Sequence, residues 1–486
     1  MSDPTFGIAI QRIDNEPRPA VAADMAVVGL VGTAPDADAS AYPVNDPVLI
    51  FSDDADSITA LGTSGSLPGQ IELINAQLGE FQVAARIVIV RVTEGEDTDA
   101  TLTNLVGNSS LKTGIHALRS AGAKLGVVPR LLGVPEYTHQ RDQGVTEVSI
   151  DVAGTGYVVG DAITGDSGDF AGEVSAVGGS GEITAVTISD PGIYASAPTL
   201  SVTSSGGSGA TLTATIADLA NVVCAALPAV CSALLAHAVV TGPHTTLQDF
   251  TDWRETLNSD RLIPVETWGK TGSPATNIDS VGAVLGIGVR RDHEKSGRPF
   301  HSWANQPVYG IVGPNRDIEF ALTDGATEGQ SILALNGGVI IRGEAGVESA
   351  IASGGYVFVG TDNAGEDDLW RFYNVTRGRD YIHLLMLRTL RFYLGRFNIT
   401  GQTIQAVTNT MNSALRDLKA DGDILGFRVY FERDQNSPEN LRLGRFKVNF
   451  DAEEAPVLRY LGVRSGRYRP ALDALLDDLV AQINTV

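Results

Sequence analysis

From Gly144 to Ile216 the chain carries no lysine and no arginine, and Gly, Ser, Thr, Ala and Val dominate. β-Runs broken by glycine turns fill this stretch. Asp151–Gly165 (DVAGTGYVVGDAITG) and Ile188–Val202 (ISDPGIYASAPTLSV) are related units, each a β-run, a Gly-Tyr turn and a second β-run. Between them, Gly172–Ile188 reads as a hairpin about a Gly-rich turn. The expected product is a small all-β body with weak internal repetition. It constrains the rest, because the pattern on both sides is α/β. The flanking domain must therefore be discontinuous, and the β body must sit in a loop that already faces solvent, outside whatever the protein builds.

Upstream, Met25–Pro35 and Pro47–Ser52 read as buried strands, Asp53–Gly62 as a short helix with a glycine stop, and Gly69–Phe81 as a helix burying Ile71, Ile74 and Leu78. RIVIVRV (Arg86–Val92) is a near-continuous apolar strand, as a sheet covered on both faces requires. LVGNSSLKTGIHALRSAG is expected to be a helix and Pro129–Tyr137 a strand. After the β body come a helix over Asp218–Ala238, a strand over Leu234–Pro243, a helix over Leu247–Leu257 and a strand over Arg261–Trp268. A small-residue helix over Ser280–Glu294 follows, and then a strand at Tyr356–Gly360.

The C-terminal block opens on RFYNVTRGRDYIHLLMLRTLRFYLGRF (Arg371–Phe397), expected to be a long helix capped by Asp380. Ile382, Met386, Leu390, Tyr393, Leu394 and Phe397 share one arc. The opposite arc mixes Tyr381, Leu384, Leu385 and Phe392 with Arg388, Arg391 and Arg396. Either this is a core helix with snorkelling arginines or the second arc meets an acidic surface. A second helix carries the stripe Ile404, Val407, Met411, Leu415 and Leu418 and stops at Gly422. Ile424–Asp434 and Leu441–Glu454 alternate as two antiparallel strands, and Pro456–Arg464 would extend their sheet. Pro470 opens a last helix with Leu472, Leu475, Leu476, Leu479 and Ile483 on one side.

At the other end, Phe6, Ile8 and Ile10 alternate with small or polar residues until Pro17–Pro19. Such an arm suits strand addition to another sheet, of its own domain or of another molecule.

The 486 residues hold 43% hydrophobic and 19% charged side chains, so they are expected to fold as two to four domains. A net charge of −23 disfavours nucleic acid and anionic membrane as partners. No apolar run reaches the roughly 18 residues of a membrane span, and no secretory signal pattern is seen, so folding in a cytoplasm is expected. Cys224 and Cys231 lie about 10.5 Å apart along one helix, too far for a mutual bond. They are either two small buried hydrophobes or partners for cysteines of a neighbouring subunit.

Motifs for chemistry are sparse. GKT at Gly269–Thr271 has Pro264 where a phosphate loop needs glycine. There is no G-x-S-x-G elbow and no HExxH. Asp292, His293 and His301 are close in sequence but lack metal-ligand spacing. No catalytic, cofactor-binding or metal residue is assigned, and no cofactor is expected.

Several segments together resemble the contractile tail sheath proteins of bacteriophages and related tail-like particles. They are FGIAIQRIDNEPRP with VAADMAVVGLVGTAP, then PVLIFSDDADSITALG and RIVIVRV. The C-terminal RFYNVTRGRDYIHLLMLRTLRFYLGRFN and VYFERDQNSPENLRLGRFKVNFDAEEAPV complete the set, in family order. The resemblance implies a non-enzymatic virion protein of mixed α/β and α+β architecture. Residues 1–22 would be an arm, and 23–143 with 217–370 a subtilisin-like α/β domain without hydrolase function. Residues 144–216 depart from the common sheath core; added domains in the family sit on the outer surface, so this would be an outward insertion, and 371–486 would be an α+β domain facing the tail tube. Extended terminal arms would be donated to neighbouring subunits. Implied partners are further copies of the chain in a helical polymer, the tube protein, and baseplate and tail terminator proteins. The implied function is to contract and drive the tube through a host envelope, with Arg388, Arg391 and Arg396 as tube or subunit contacts. A secretion-type or tailocin-type sheath is the near alternative. A subtilisin-fold hydrolase and a surface adhesin are the distant ones.

Overall fold

The computed structural model describes residues 24–167, 169–343 and 355–483. The arm with Phe6, Ile8 and Ile10 lies outside the described residues.

β1 (Val28–Thr33), β2 (Pro47–Phe51), β3 (Arg86–Val92) and β4 (Leu131–Gly133) precede the β-rich stretch. That stretch forms β5 (Gln143–Thr155), β6 (Ala162–Gly165), β7 (Ala171–Val177), β8 (Ile183–Asp190), β9 (Leu200–Thr203) and β10 (Ser208–Asp218). β11 (His237–Thr241) and β12 (Leu262–Val265) follow it. The central sheet runs β12-β11-β4-β1-β3-β2. Its strands are parallel except β2, which is antiparallel to β3 at the edge.

The helices are α1 (Ala55–Leu61), α2 (Pro68–Leu78), α3 (Thr98–Val106), α4 (Ala121–Leu125), α5 (Val222–Leu234), α6 (Leu247–Glu255) and α7 (Val281–Glu294). Alternate residues of one strand enter different cores. Ile87 and Ile89 pack with Ile71, Ile74 and Val284, whereas Val88 and Val90 pack with Leu105, Val223 and Leu227. Two covered faces explain why RIVIVRV is apolar nearly throughout. α1 is capped as its sequence requires: Asp54 accepts from the Ser57 amide, and Gly62 at φ +81° ends the helix.

α7 reaches α2 through its glycines. A Cβ on Gly282 would stand 2.6 Å from the Gln70 carbonyl oxygen, and the Gly282 amide donates to Gln70 Oε1 at 2.7 Å. Gly282→Ala gains helix propensity of up to about 1 kcal/mol. It also forces two backbones apart, at a cost of about 1–3 kcal/mol. The expected net result is a loss of about 1–2 kcal/mol, read as a lower urea midpoint. An unchanged midpoint would show that α2 slides away freely.

Three readings of this domain are corrected. LVGNSSLKTGIHALRSAG is not one helix. Gly107 takes φ +64°, Asn108 Oδ1 accepts from the Ser110 and Leu111 amides, and the chain restarts as a 3-10 turn at Gly114–Ser120 followed by α4. The strand expected over Pro129–Tyr137 shrinks to β4, bounded by two prolines that cannot donate to a ladder. The strand after α5 starts at His237, since the helix runs to Leu234 and Leu235 turns left-handed at φ +48°.

β5 and β10 form a long antiparallel ribbon leading to the four-stranded sheet β8-β7-β6-β9. Val145, Tyr157, Ile163, Phe170, Val174, Ile183 and Tyr194 make a core separate from those of the central sheet. The weak repeat is visible in three dimensions. Tyr157 follows Gly156 at φ +80°, and its hydroxyl accepts from the Ala210 amide. Tyr194 follows Gly192 at φ +60° by two residues, and its hydroxyl accepts from the Phe170 amide.

Two small sheets follow. β13 (Gly269–Thr271), β14 (Thr276–Ile278) and β16 (Gly313–Pro314) form one; β15 (Gln306–Val308), β17 (Val339–Gly343) and β18 (Gly355–Val359) form the other. α8 (Glu328–Ala334) lies between β16 and β17 in sequence. The C-terminal block comprises α9 (Tyr373–Leu390), α10 (Gly401–Ala420), β19 (Ile424–Tyr430), α11 (Pro438–Arg442), β20 (Asn449–Glu454) and α12 (Pro470–Ile483). β19 and β20 pair antiparallel, and Ile382, Met386, Met411, Leu415, Leu418 and Ile424 form their core with Phe300.

Here too the structure departs from the sequence reading. Asp380 is not an N-cap: α9 begins at Tyr373, and Asp380 is buried in its middle. α9 stops at Leu390, and 391–396 continue as turns with Gly395 at φ +74°. The second strand starts at Asn449, because Ser437 caps α11 through the Asn440 amide and Pro438 occupies its first turn. Pro456–Arg464 adds no strand and lies exposed.

Candidate assembly surface

α9 joins the two halves of the molecule. Toward the α/β layers, the Tyr373 hydroxyl accepts from the Trp303 amide at 2.9 Å, and Asn374 Nδ2 donates to the Phe300 carbonyl at 2.9 Å. Arg377 is fully buried. Its Nη2 lies 2.6 Å from Oδ2 of Asp292 on α7, it donates to the Met25 carbonyl, and its guanidinium lies 5.0 Å from the Trp303 ring. Asp380 takes both terminal nitrogens of Arg261, just ahead of β12. Toward the C-terminal sheet, Arg379 Nε donates to Glu454 at 2.6 Å and its Nη2 to the Ala452 carbonyl. Ile382 and Met386 enter the core below. One helix is thus clamped to both bodies by charge-assisted bonds in poorly solvated surroundings.

Beyond α9 the surface changes character. A groove of about 510 Å³ runs between the α9–α10 turn and the approach to β20, lined by Leu394, Phe397, Ile399, Val407, Phe446 and Val448 among others. Leu387, Phe392 and Leu394 stand largely in solvent, with Leu394 77% exposed. Arg388, Arg391 and Arg396 in the same stretch are all exposed, and the Arg396 guanidinium lies 5.3 Å from the Phe392 ring. No acidic residue occurs between Asp380 and Asp417 or between Glu439 and Asp451. These two stretches carry Arg388, Arg391, Arg396, Arg416, Arg442, Arg445 and Lys447, an excess of cations in sequence within a chain of net charge −23.

The chain then leaves the body. Arg459 is tied to Asp362 and to the Leu333 carbonyl. From Tyr460 through Ile483 every residue is exposed, α12 included. Leu472, Leu475, Leu476, Leu479 and Ile483 form its apolar stripe, as the sequence predicted, with nothing of the described chain covering it.

Sequence reasoning missed a polar cluster at the C-terminal edge of the parallel sheet, where open α/β sheets usually place their chemistry. Burial pushes Glu266 up to about 7, outweighing its Arg316 partner at 2.8 Å and the His244 amide. Burial likewise pushes Asp279 up to about 6, although it accepts from Thr241 Oγ1 and from the Glu136 and Val281 amides. The His244 ring stacks on Trp268 with centroids 4.0 Å apart, and His139 packs edge-on to both. These residues are isolated polar letters in apolar runs, without a spacing that marks them.

The other singled-out residues are dispersed. Cys224 and Cys231 are free thiols inside the core, where burial raises both pKa values. They sit away from any surface a neighbour's cysteine would reach. Gly269–Thr271 is the central strand of a small sheet rather than a strand-to-helix loop. Asp292 is engaged by Arg377, His293 stands edge-on to Phe81, and His301 faces Asp423 at 3.7 Å. Among the described residues no group of three or more His, Cys, Asp or Glu is placed to hold a metal, and no helix is long and apolar enough to cross a membrane.

Residues 26–92, from the 3-10 turn before β1 through β3, match the family model of the tail sheath protein Gp18 domain III N-terminal region. The whole chain aligns with the tail sheath protein of Escherichia phage P2 at 22% identity over 499 aligned positions, covering 100% of each protein. The chain is similar to the tail sheath proteins. A segment of 123 residues is 37% identical to the major tail sheath protein of Serratia phage KSP20, covering 24% of this chain and 30% of that protein. The fold is shared with the helical sheath of the anti-feeding prophage in its contracted state, at TM-score 0.56 and 13% identity, over 96% of this chain and 100% of the other. The relatives and structural neighbours are thus tail sheath proteins of phages and the sheath of a related contractile system. In that setting, exposed apolar groups at the C-terminal end read as assembly surfaces rather than ligand sites.

Proposed function

We propose that this chain polymerises helically around a tail tube, in a phage tail or tail-like particle, and shortens to drive the tube through a cell envelope. The observation that carries the reading is the solvent-exposed apolar end of the chain, from the groove at Leu394 and Phe397 to the stripe on α12, in a protein alignable end to end with a phage tail sheath protein. A monomer gains nothing by leaving this surface wet, whereas a polymer covers it. The work needs no bound nucleotide, because two packings of the same rigid bodies that differ in free energy store it at assembly. The α9 clamp keeps the two bodies of each subunit together during that movement.

Within this reading the sheet order and its two helical layers are assigned to a subtilisin-like domain that serves as scaffold and not as a hydrolase. The domain limits are 23–143 with 217–370, the insertion 144–216 faces outward, and 371–486 faces the tube. Phe6, Ile8 and Ile10 form a strand donated to a neighbour. Arg388, Arg391 and Arg396 meet the tube or an adjacent subunit. Baseplate and terminator proteins bound the polymer, and assembly takes place in the host cytoplasm.

Negative-stain microscopy of the purified protein tests this directly, with striated hollow cylinders expected. A chain lacking residues 1–20 is expected to stay soluble and form none. Cylinders from the truncated chain would remove the arm from the account, and their absence from the full chain in all conditions would remove the sheath assembly itself. Labelling by a serine-reactive probe would overturn the non-enzymatic assignment.

A further inference from the structure

A cavity of about 210 Å³ lies at the joint between the two bodies. Phe300 and His301 line it from the segment after α7, Asn374 from the first turn of α9, and Asp423, Pro456 and Val457 from the C-terminal block. Asn374 and Asp423 are each 2% exposed. Two carbonyls orient the Asn374 amide. Its Nδ2 donates to Phe300 at 2.9 Å and to Ala455 at 3.5 Å, which leaves Oδ1 as a buried acceptor without a partner. Asp423 Oδ2 has no hydrogen bond either, although it lies 2.9 Å from Arg298 Nη1. That same nitrogen donates to Asp421, so one guanidinium serves two carboxylates. Burial pushes the Asp423 carboxyl up despite Arg298, and Lys295 adds only a weaker attraction. His301 stands 3.7 Å from Asp423, and burial lowers its pKa, so its ring is neutral at pH 7. Buried acceptors and a surplus carboxylate are costly to leave unpaired.

We propose that this cavity binds a primary alkylammonium group, its N–H donors on Asp423 and Asn374 Oδ1 and its alkyl stem against Phe300, Pro456 and Val457. An ammonium brings three donors and one positive charge to a place that offers acceptors and excess negative charge. A divalent metal fits less well, because one lining carboxylate is a small ligand set and a guanidinium stands beside it. Water satisfies the acceptors but leaves the charge uncompensated and gains nothing from the apolar walls. The volume, several times that of one water molecule, holds a stem of a few carbons. The bound group touches both bodies at once, and so reinforces the joint that α9 makes through Arg377 and Arg379. The site is complete within one chain and does not depend on polymerisation.

The test titrates n-butylammonium chloride calorimetrically into the full-length chain at constant ionic strength. Saturable binding of one equivalent is the expected result. Tetramethylammonium, which carries the charge without an N–H, should bind at least about tenfold more weakly. Asp423→Asn should weaken butylammonium binding by a similar factor. Val457→Trp fills the cavity from a half-buried position, alters no charge and should abolish binding, so the test stands even where Asp423→Asn fails to fold. A titration without saturation overturns the proposal. Equal binding of the two cations overturns it as well, as does a Val457→Trp chain that binds like the parent, since either leaves only attraction to surface charge. The same group ends a lysine side chain, so the titration is repeated on assembled protein. Undiminished affinity there assigns the site to free amines. Affinity lost on assembly, together with failed assembly of Val457→Trp, assigns it to a lysine of a neighbouring copy.

Discussion

Arg377→Ala is expected to lower the stability of the folded chain by about 3–5 kcal/mol. Arg377 and Asp292 are 0% and 1% exposed, so removal of the guanidinium strands a carboxylate in apolar surroundings. It also takes the donor from the Met25 carbonyl and the cation from above Trp303. The size of the effect comes from the unpaired charge left behind, not from the net worth of the pair, since desolvation offsets most of the attraction. A double variant separates the two. Asp292→Leu with Arg377→Met should recover most of the loss, because it leaves neither charge unpaired. Urea unfolding followed by tryptophan fluorescence reads the change, as Trp303 lies against the guanidinium. A loss below about 1 kcal/mol for Arg377→Ala would mean that water reaches Asp292 and that α9 is not clamped as described.

Stability should also fall as pH rises from about 4.5 to about 7, through Glu266. Its folded pKa is raised from an ordinary 4.5 to about 7, chiefly by burial. Within that window the folded state holds a proton that the unfolded state has lost, so rising pH favours unfolding. Below the window the carboxyl is protonated in both states and costs nothing; above it the full penalty of the buried anion is present. The shift corresponds to about 3 kcal/mol. Glu266→Gln stays neutral, so the difference between it and the parent should change by about that amount between pH 4.5 and 7.5. A difference independent of pH would place the folded pKa near its ordinary value, with Arg316 winning over burial. Asp279, raised to about 6, adds a slope of the same sign that the comparison cancels.

Much of the architecture was legible in residue order. RIVIVRV announced a strand covered on both faces, Asp54 and Gly62 bounded α1, and the lysine- and arginine-free stretch marked a β body interrupting an α/β sheet. The α12 stripe was legible as well. Where local signals competed, the reading failed. Apolar periodicity alone carried α9 on to Phe397, while the helix stops once its residues no longer have a core to enter. Alternation alone made a strand of Leu441–Val448, where a serine cap and a proline start a helical turn. Asp380 looked like a cap because the sequence does not show Arg261, 119 residues earlier, waiting to pair with it.

The candidate site divides the same way. Order and type of residue by themselves determined the alternation of elements, the location of the insertion, the cationic stretch at Arg388–Arg396 and its contrast with an acidic chain, because each is a property of neighbours in sequence. Only the tertiary structure decided which charges are structural and which face outward. Arg377, Arg379 and Asp380 lie in the same sequence run as Arg388 and Arg391, yet the first three are consumed in clamps and the last two stand exposed at the surface. Pairing energy depends on burial and on partners brought together across the fold, and neither is written in local sequence.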